Sequence, residues 1–255
     1  MTLRERMRDA WRLGAKVVLA RPQRPDPDDQ AAWSDAVALW DALFAPFSPL
    51  VEGADVLEVG CGDGRMLGAL AGSGGARSAV GVERHAYWTG QGSGVAWRTG
   101  MFPRLELHAD LRRIESLDDG VADLILCREL DGVFPLEGLE DGLARLHDLL
   151  RPGGEMIVRV RCGDPRRGLD GPGYGFMTPT TWTALMLRAG FEVAGLRRVW
   201  RDPADQDAAA AKLPHASDDE RLTAELHLHL IRPWESWELD ALKEFGDRRR
   251  ASKKG

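Results

Sequence analysis

LEVGCGDGRML, residues 57–67, places Gly60, Gly62 and Gly64 on alternate positions directly after an apolar run. The pattern reads as a strand that ends in a tight turn and opens a helix. Glycine has no Cβ, so a turn built this way lets the backbone come close to a ligand. In an open parallel sheet, ligands bind beyond the carboxyl ends of the strands, which is where this turn would sit. The spacing departs from the dinucleotide fingerprint GxGxxG: the third glycine comes one residue early, at Gly64, and Arg65 holds the fingerprint's last position. Two carboxylates, Glu58 and Asp63, accompany the turn. A pyrophosphate so close to them would be repelled, whereas a cationic ligand would be attracted.

Outward from the turn, strand and helix patterns alternate. ADVLEVG (54–60) is a buried strand and RMLGALAG (65–72) a short helix closed by glycine. SAVGVE (78–83), RLELHA (104–109), VADLILC (121–127) and EMIVRV (155–160) read as further strands. LEGLEDGLARLHDLL (136–150) repeats leucine at helical spacing, and RPGG (151–154) stops it. TPTTWTALMLRAG (178–190) is a helix with Pro179 in its first turn. FEVAGLRRVW (191–200) and ERLTAELHLHLI (220–231) complete the strands. Such alternation implies a mostly parallel sheet covered on both faces. Before it, residues 4–20 and 31–44 read as helices separated by the proline-rich RPQRPDPDDQ (21–30). Residues 202–220 read as an exposed loop and 246–255 as a charged tail.

The chain has 255 residues, 44 % of them hydrophobic, and a net charge of −6. It is long enough to bury a core without disulfides, and its charge disfavours a broadly basic nucleic-acid face. Cys61, Cys127 and Cys162 are three, far apart and outside any CxxC pair, which points to a reduced, cytoplasmic protein. The basic N-terminus has too short an apolar run for a signal peptide, and no run reaches membrane-spanning length.

Glu83 ends the second strand, 19 residues after Gly64. A carboxylate there accepts hydrogen bonds from both hydroxyls of a ribose. S-adenosylmethionine fits both features, since it carries a sulfonium, an ammonium and a ribose but no phosphate.

With these residues in place the chain resembles the class I S-adenosylmethionine-dependent methyltransferases. The resemblance rests on VLEVGCGDGRML, VGVE, HADL, DLILC and LLRPGGEMIVRV in that order, over roughly residues 50–200. It implies an α/β, Rossmann-like fold: a seven-stranded, mostly parallel sheet with its last strand antiparallel and helices on both faces. It implies S-adenosyl-L-methionine as cofactor, with the methionine end over Gly60, Cys61, Gly62 and Gly64 beside Glu58, and the ribose on Glu83. It places the adenine near Asp110 and Leu111, with its amino group on the Asp110 side chain, and backbone near Cys127 and Arg128 against the methionine part. No resident metal is implied.

Where the family usually has an amphipathic helix, residues 84–103 carry four glycines, each weakening a helix by about 1 kcal/mol. Tyr87, Trp88 and Trp97 in that segment are candidates to stack on adenine or line an acceptor pocket. After the fourth strand, CRELDGVFP puts Asp131 near the acidic position of small-molecule members, while Gly132 stands where they carry histidine. Asp131 is the candidate base. The Asn/Asp-Pro-Pro-Tyr type motif of base-amine methyltransferases is missing, which with the acidic charge disfavours nucleic acid as substrate. RCGDPRRGLDGPGYGFM (161–177) leaves the fifth strand at the cleft, offering Arg166, Arg167 and Tyr174 to an acceptor. His227 and His229 share a strand face without a third ligand in reach. The three cysteines fall at or past the ends of the first, fourth and fifth strands, an arrangement expected to line one edge of the cleft.

The sequence thus divides into an N-terminal helical extension (1–49), a methyltransferase domain (50–235) and a C-terminal tail (236–255). The expected activity is methyl transfer to an O or N atom of a small-molecule acceptor, without a membrane. The alternative is a non-catalytic cofactor-binding module that engages a protein partner. Oligomeric state and acceptor identity are not encoded in any motif.

Overall fold

The computed structural model describes residues 50–72, 75–84, 86, 90, 105–127, 130–162, 177–200, 223–240 and 243. The helices expected over 4–20 and 31–44, most of 84–103, residues 163–176, the loop 202–220 and the tail 246–255 lie outside them. Seven strands form one sheet: β1 (Asp55–Val59), β2 (Ser78–Val82), β3 (Leu105–His108), β4 (Ala122–Cys127), β5 (Leu150–Arg161), β6 (Glu192–Trp200) and β7 (Thr223–Ile231). Their order is β3-β2-β1-β4-β5-β7-β6. Neighbours from β3 to β5 pair in parallel, and β7 runs antiparallel to both β5 and β6, so it alone is reversed. The helices are α1 (Arg65–Gly72), α2 (Leu130–Val133), α3 (Leu139–Leu149) and α4 (Pro179–Arg188).

Strand side chains alternate between faces, and each face finds its own cover. Leu57 and Val59 of β1, Ile125 and Cys127 of β4, and Met156, Val158 and Val160 of β5 share one core with Leu143 and Leu146 of α3 and Trp182 and Met186 of α4. Val56, Leu124, Leu126 and Ile157 point the other way and pack with Met66, Leu67 and Leu70 of α1. Burying one such side chain is worth about 1.5–3 kcal/mol, and both layers are needed because a parallel sheet is apolar on both faces. α4 starts where the sequence places it: the Thr178 hydroxyl accepts the Thr181 N–H at 3.2 Å, and Pro179 follows. It closes at Gly190, whose φ is +94°.

RPGG behaves differently from a simple helix stop. α3 ends at Leu149, and Leu150 already pairs with Ala122 as strand. The register of β5 on β4 then shifts before Glu155 meets Leu124. The glycines turn toward the chain after β7: Gly153 N–H donates to the Arg232 carbonyl and Arg232 N–H to Gly154, both at 2.9 Å. A Cβ on Gly153 would lie 2.6 Å from the Trp234 Nε1 atom. Residues 236–240 are helical. Glu238 is buried, 3.1 Å from the Arg232 guanidinium, and accepts the Glu235 N–H at 2.8 Å. Residues 235 and 238 are thus tied to the chain that leaves β7. Among the described residues, no helix is long and apolar enough to cross a membrane.

Candidate functional site

The carboxyl ends of β1, β2 and β3 stand side by side. At β1, Gly60 N–H donates to the Val82 carbonyl at 2.8 Å and Gly64 N–H to the Cys61 carbonyl at 3.0 Å. Gly60, Gly62 and Gly64 have φ of +75°, +60° and +74°, values that L side chains avoid. Their surroundings differ. A Cβ on Gly60 would come within 2.8 Å of Val133 Cγ2, and one on Gly64 within 2.7 Å of Leu107 Cδ2. A Cβ on Gly62 would meet nothing within 4 Å. Gly60 and Gly64 are glycines because protein fills their space; Gly62 alone presents bare backbone to an open one.

Glu83 meets the turn from β2. It is 9 % exposed, and its Oε2 accepts the Gly62 N–H while its Oε1 accepts the Arg84 N–H, both at 2.8 Å. These bonds fix the carboxylate at the turn, and carboxylate oxygens take more than one donor each. Arg84 reaches further, donating from its guanidinium to the Val133 carbonyl at 2.8 Å.

The other two carboxylates have different tasks. Asp63 takes the Arg65 N–H at 3.2 Å and lies 2.5 Å from the Arg65 Nε, so Arg65 answers its charge at the start of α1. Glu58 is 0 % exposed on the Val56 face of β1, in register with Gly81 and Leu126, beneath the turn rather than on its surface. Two further carboxylates follow the ends of β2 and β3, Glu83 and Asp110.

There, Asp110 caps a 3₁₀ turn that begins at Leu111, its Oδ1 accepting the Arg112 N–H at 3.0 Å. Its hydrogen bonds from the Arg112 guanidinium, 2.8 Å at the nearest, hold its carboxyl below the usual carboxylate range. Cys127 ends β4 and is buried; Arg128 falls outside the described residues. Asp131 lies in the short helix α2, with its side chain outside the description, as is all of Tyr174.

The thiols do not share an edge. β1, β4 and β5 are neighbours, as expected, but Cys61 packs in the α1 layer and Cys127 and Cys162 in the other. Cys61 turns under the glycine turn, where its Sγ would lie 2.7 Å from a Cβ on Gly81. Its thiol is shielded by packing, whatever occupies the cleft. His229 meets Glu155 across the β7–β5 pair rather than a histidine partner.

Sequence reasoning passed over Arg84 and Val133. The signal for Arg84 was present, an arginine next to the strand-ending carboxylate. Val133 gives none, because its place depends on how α2 folds back over the turn.

A seven-stranded sheet in this order, with its one reversed strand and with a glycine turn and a carboxylate at successive strand ends, defines the class I methyltransferase architecture. Residues 56–154 match the family model described as a methyltransferase domain. An S-adenosylmethionine-dependent methyltransferase from Mesorhizobium loti is 20 % identical with a TM-score of 0.56, over 78 % of this chain and 99 % of that one. Phosphoethanolamine N-methyltransferase 2 from Haemonchus contortus, in complex with phosphomonomethylethanolamine and S-adenosylhomocysteine, is 13 % identical with a TM-score of 0.57, over 79 % and 53 %. The cyclase SpnF has the same fold at 16 % identity and a TM-score of 0.56, over 77 % and 83 %. No curated protein matches the chain by sequence. Residues 56–154 thus carry a methyltransferase domain, and the chain shares the fold of S-adenosylmethionine-dependent methyltransferases.

Proposed function

We propose that the protein methylates an oxygen or nitrogen atom of a small-molecule acceptor in the cytoplasm. The observation that carries this reading is the segment after β4. It folds as the one-turn helix α2, with Val133 closed against Gly60, and carries Asp131 in place of a base-amine motif. The net charge of −6 also argues against a polyanionic substrate. The phosphoethanolamine enzyme with which the chain shares its fold has a small acceptor of this kind in its complex.

When bound, the cofactor supplies a methyl group already activated by a sulfonium leaving group. The chain's own task is then to hold and align. Glu83 takes the ribose hydroxyls. Gly60, Cys61, Gly62 and Gly64 present backbone to the methionine part, joined by backbone at Cys127 and Arg128. Asp110 and Leu111 receive the adenine, and buried Glu58 lies beneath the turn. Val133, 4 % exposed, keeps water from the Gly60 side of the turn. Asp131 accepts the acceptor's proton, and Tyr174 faces the acceptor. Orientation of this kind provides a large share of the acceleration. Residues 1–49 are an extension to the methyltransferase domain at 50–235, and 236–255 follow it as a C-terminal segment.

The test is S-adenosylhomocysteine formation against a panel of hydroxyl- and amine-bearing metabolites. Turnover with one of them is expected. Turnover confined to RNA, DNA or protein substrates would overturn the small-molecule reading, and binding without turnover on any substrate would favour the non-catalytic module. With an acceptor in hand, Asp131→Asn should lower kcat about 100-fold, the scale of general base catalysis, and leave S-adenosylhomocysteine affinity unchanged.

A further inference from the structure

The guanidinium of Arg84 lies where no motif assigns a role. Arg84 leaves the end of β2, and Val133 belongs to the segment after β4; the sheet order sets β1 between them. The 2.8 Å bond from Arg84 to the Val133 carbonyl therefore bridges the carboxyl edge of the sheet above β1. Both ends of the bridge are tied to the glycine turn. On one side, the Arg84 N–H donates to Glu83, whose other oxygen holds the Gly62 N–H. On the other, Val133 abuts Gly60, in the space its Cβ would need. Glycine turn, ribose-end carboxylate, arginine and α2 form one closed ring of contacts that passes through Gly60 and Gly62.

The ring meets α2 at its last residue, Val133. The helix has four residues, with a Phe134 N–H bond to the Leu130 carbonyl at 3.2 Å and with Leu130 and Val133 buried in the core. A single turn of helix is unstable in isolation, because nucleation fixes several residues for one bond. Its last carbonyls have no partner within the helix, and a cation at a helix C-terminus is favourable. Arg84 supplies both the donor and the cation at the Val133 carbonyl.

We propose that Arg84 is a positioning residue that couples the ribose end of the cofactor site to its methyl-transfer end, by holding α2 against the glycine turn. The proposal rests on the assignment of the ribose to Glu83 and of the methionine part to Gly60–Gly64. It has a distinctive consequence. Loss of the guanidinium loosens the wall beside the methionine part, while Glu83 keeps its bonds from backbone N–H groups and still serves the ribose.

Two ligands separate these ends. S-adenosylhomocysteine carries adenine, ribose and the amino-acid part; 5′-methylthioadenosine lacks the amino-acid part. By calorimetry, Arg84→Ala should weaken S-adenosylhomocysteine about tenfold, the loss expected for a charged donor, and 5′-methylthioadenosine less than about threefold. Arg84→Lys keeps a cationic donor and should recover a good part of that affinity. In the ligand-free protein, hydrogen exchange at the Phe134 amide should quicken in Arg84→Ala, with β4 unchanged. Equal weakening of both ligands would overturn the proposal, since Arg84 would then act only on Glu83. Unchanged S-adenosylhomocysteine affinity, unchanged Phe134 exchange or failure of lysine to recover binding would overturn it as well. A wild-type protein that binds neither ligand would instead refute the underlying assignment of the cofactor site, and the proposal with it.

Discussion

Gly62 and Gly64 are two residues apart and both have positive φ, yet substitutions there should fail differently. Gly64→Ala puts a methyl into Leu107 on top of a strained φ. It should cost about 1–3 kcal/mol of stability, the range of overpacking, readable in a urea melt. Gly62→Ala meets the strain but no protein atom. Its stability loss should be about 1–2 kcal/mol from strain alone, while its methyl would enter the open space that the proposed function gives to the cofactor. We expect S-adenosylhomocysteine affinity to fall at least about tenfold in a protein that still folds. Wild-type affinity in Gly62→Ala would show that the cofactor does not approach this backbone. Glu83→Ala tests the neighbouring claim: loss of hydrogen bonds to a charged acceptor should cost about 1–3 kcal/mol of cofactor affinity. At this scale the sequence was legible where chemistry is local. Three glycines and a strand-ending carboxylate announce their site. Which glycine faces the ligand was not legible, because Val133 and Leu107 come from other strands' ends. Nor were the tasks of Asp63 and Glu58, which appeared alike as charges near a turn. One is answered by Arg65 and the other is buried beneath.

β2 shows how tightly elements are fitted around the turn. A Cβ on Gly81 would lie 2.7 Å from Cys61 Sγ, 2.7 Å from Leu107 Cδ2 and 2.8 Å from Leu67 Cδ1, three contacts from three elements. Gly81→Ala should therefore destabilise the protein by about 1–3 kcal/mol. Cys61→Ala removes one of the obstructing atoms, so the double variant should lose less than the sum of the two single losses. Strict additivity in urea melts would mean that Cys61 and position 81 do not compete for space. Every described strand and α1, α3 and α4 follow the periodicity of the sequence, because those segments are long enough to show a period. α2 is a single turn and has no period to read; Leu130 and Val133 seat it in the core by contacts with distant segments. RPGG was legible as a break in the helix but not as a shift within β5. The cause is a pairing with Arg232, 78 residues beyond Gly154. The place of β7 between β5 and β6 is likewise a long-range fact that no local pattern announces; the resemblance to a family implied only that the last strand is antiparallel.

At the scale of the whole molecule, the edge opposite the cleft carries a charge cluster that no motif announced. Asp55 at the start of β1 is 2.8 Å from the Arg151 guanidinium of β5, pairs with Arg77, and accepts the Ser78 hydroxyl at 2.7 Å. Asp123 of β4 accepts the same two arginines, and its Oδ2 takes the Asp55 N–H at 2.8 Å. Four strands are thus fastened at their amino ends. The hydrogen bond from Arg77, joined by those from Ser78 and Arg151, holds the Asp55 carboxyl far below the usual carboxylate range against the opposing effect of its partial burial. A carboxyl depressed by folding stabilises the folded state wherever the unfolded one would also be ionised, and that contribution disappears as protons bind. The cluster is therefore at full strength above the unfolded aspartate pKa of about 3.9, and it weakens as pH falls from there toward the depressed folded value. Arg77 is 58 % exposed, so solvent screens part of the attraction. Asp55→Asn should accordingly cost about 1–2 kcal/mol at pH 7 rather than the full value of a buried pair. Urea melts of wild type and variant at intervals between pH 7 and pH 3 give the difference directly. It should stay constant down to about pH 5 and shrink below that. Cofactor affinity at pH 7 should be unaffected, since the cluster and the glycine turn lie at opposite ends of β1. A stability difference that grows as the pH drops would show that Asp55 is held protonated in the fold, and that the arginines fasten the strands through Asp123 alone.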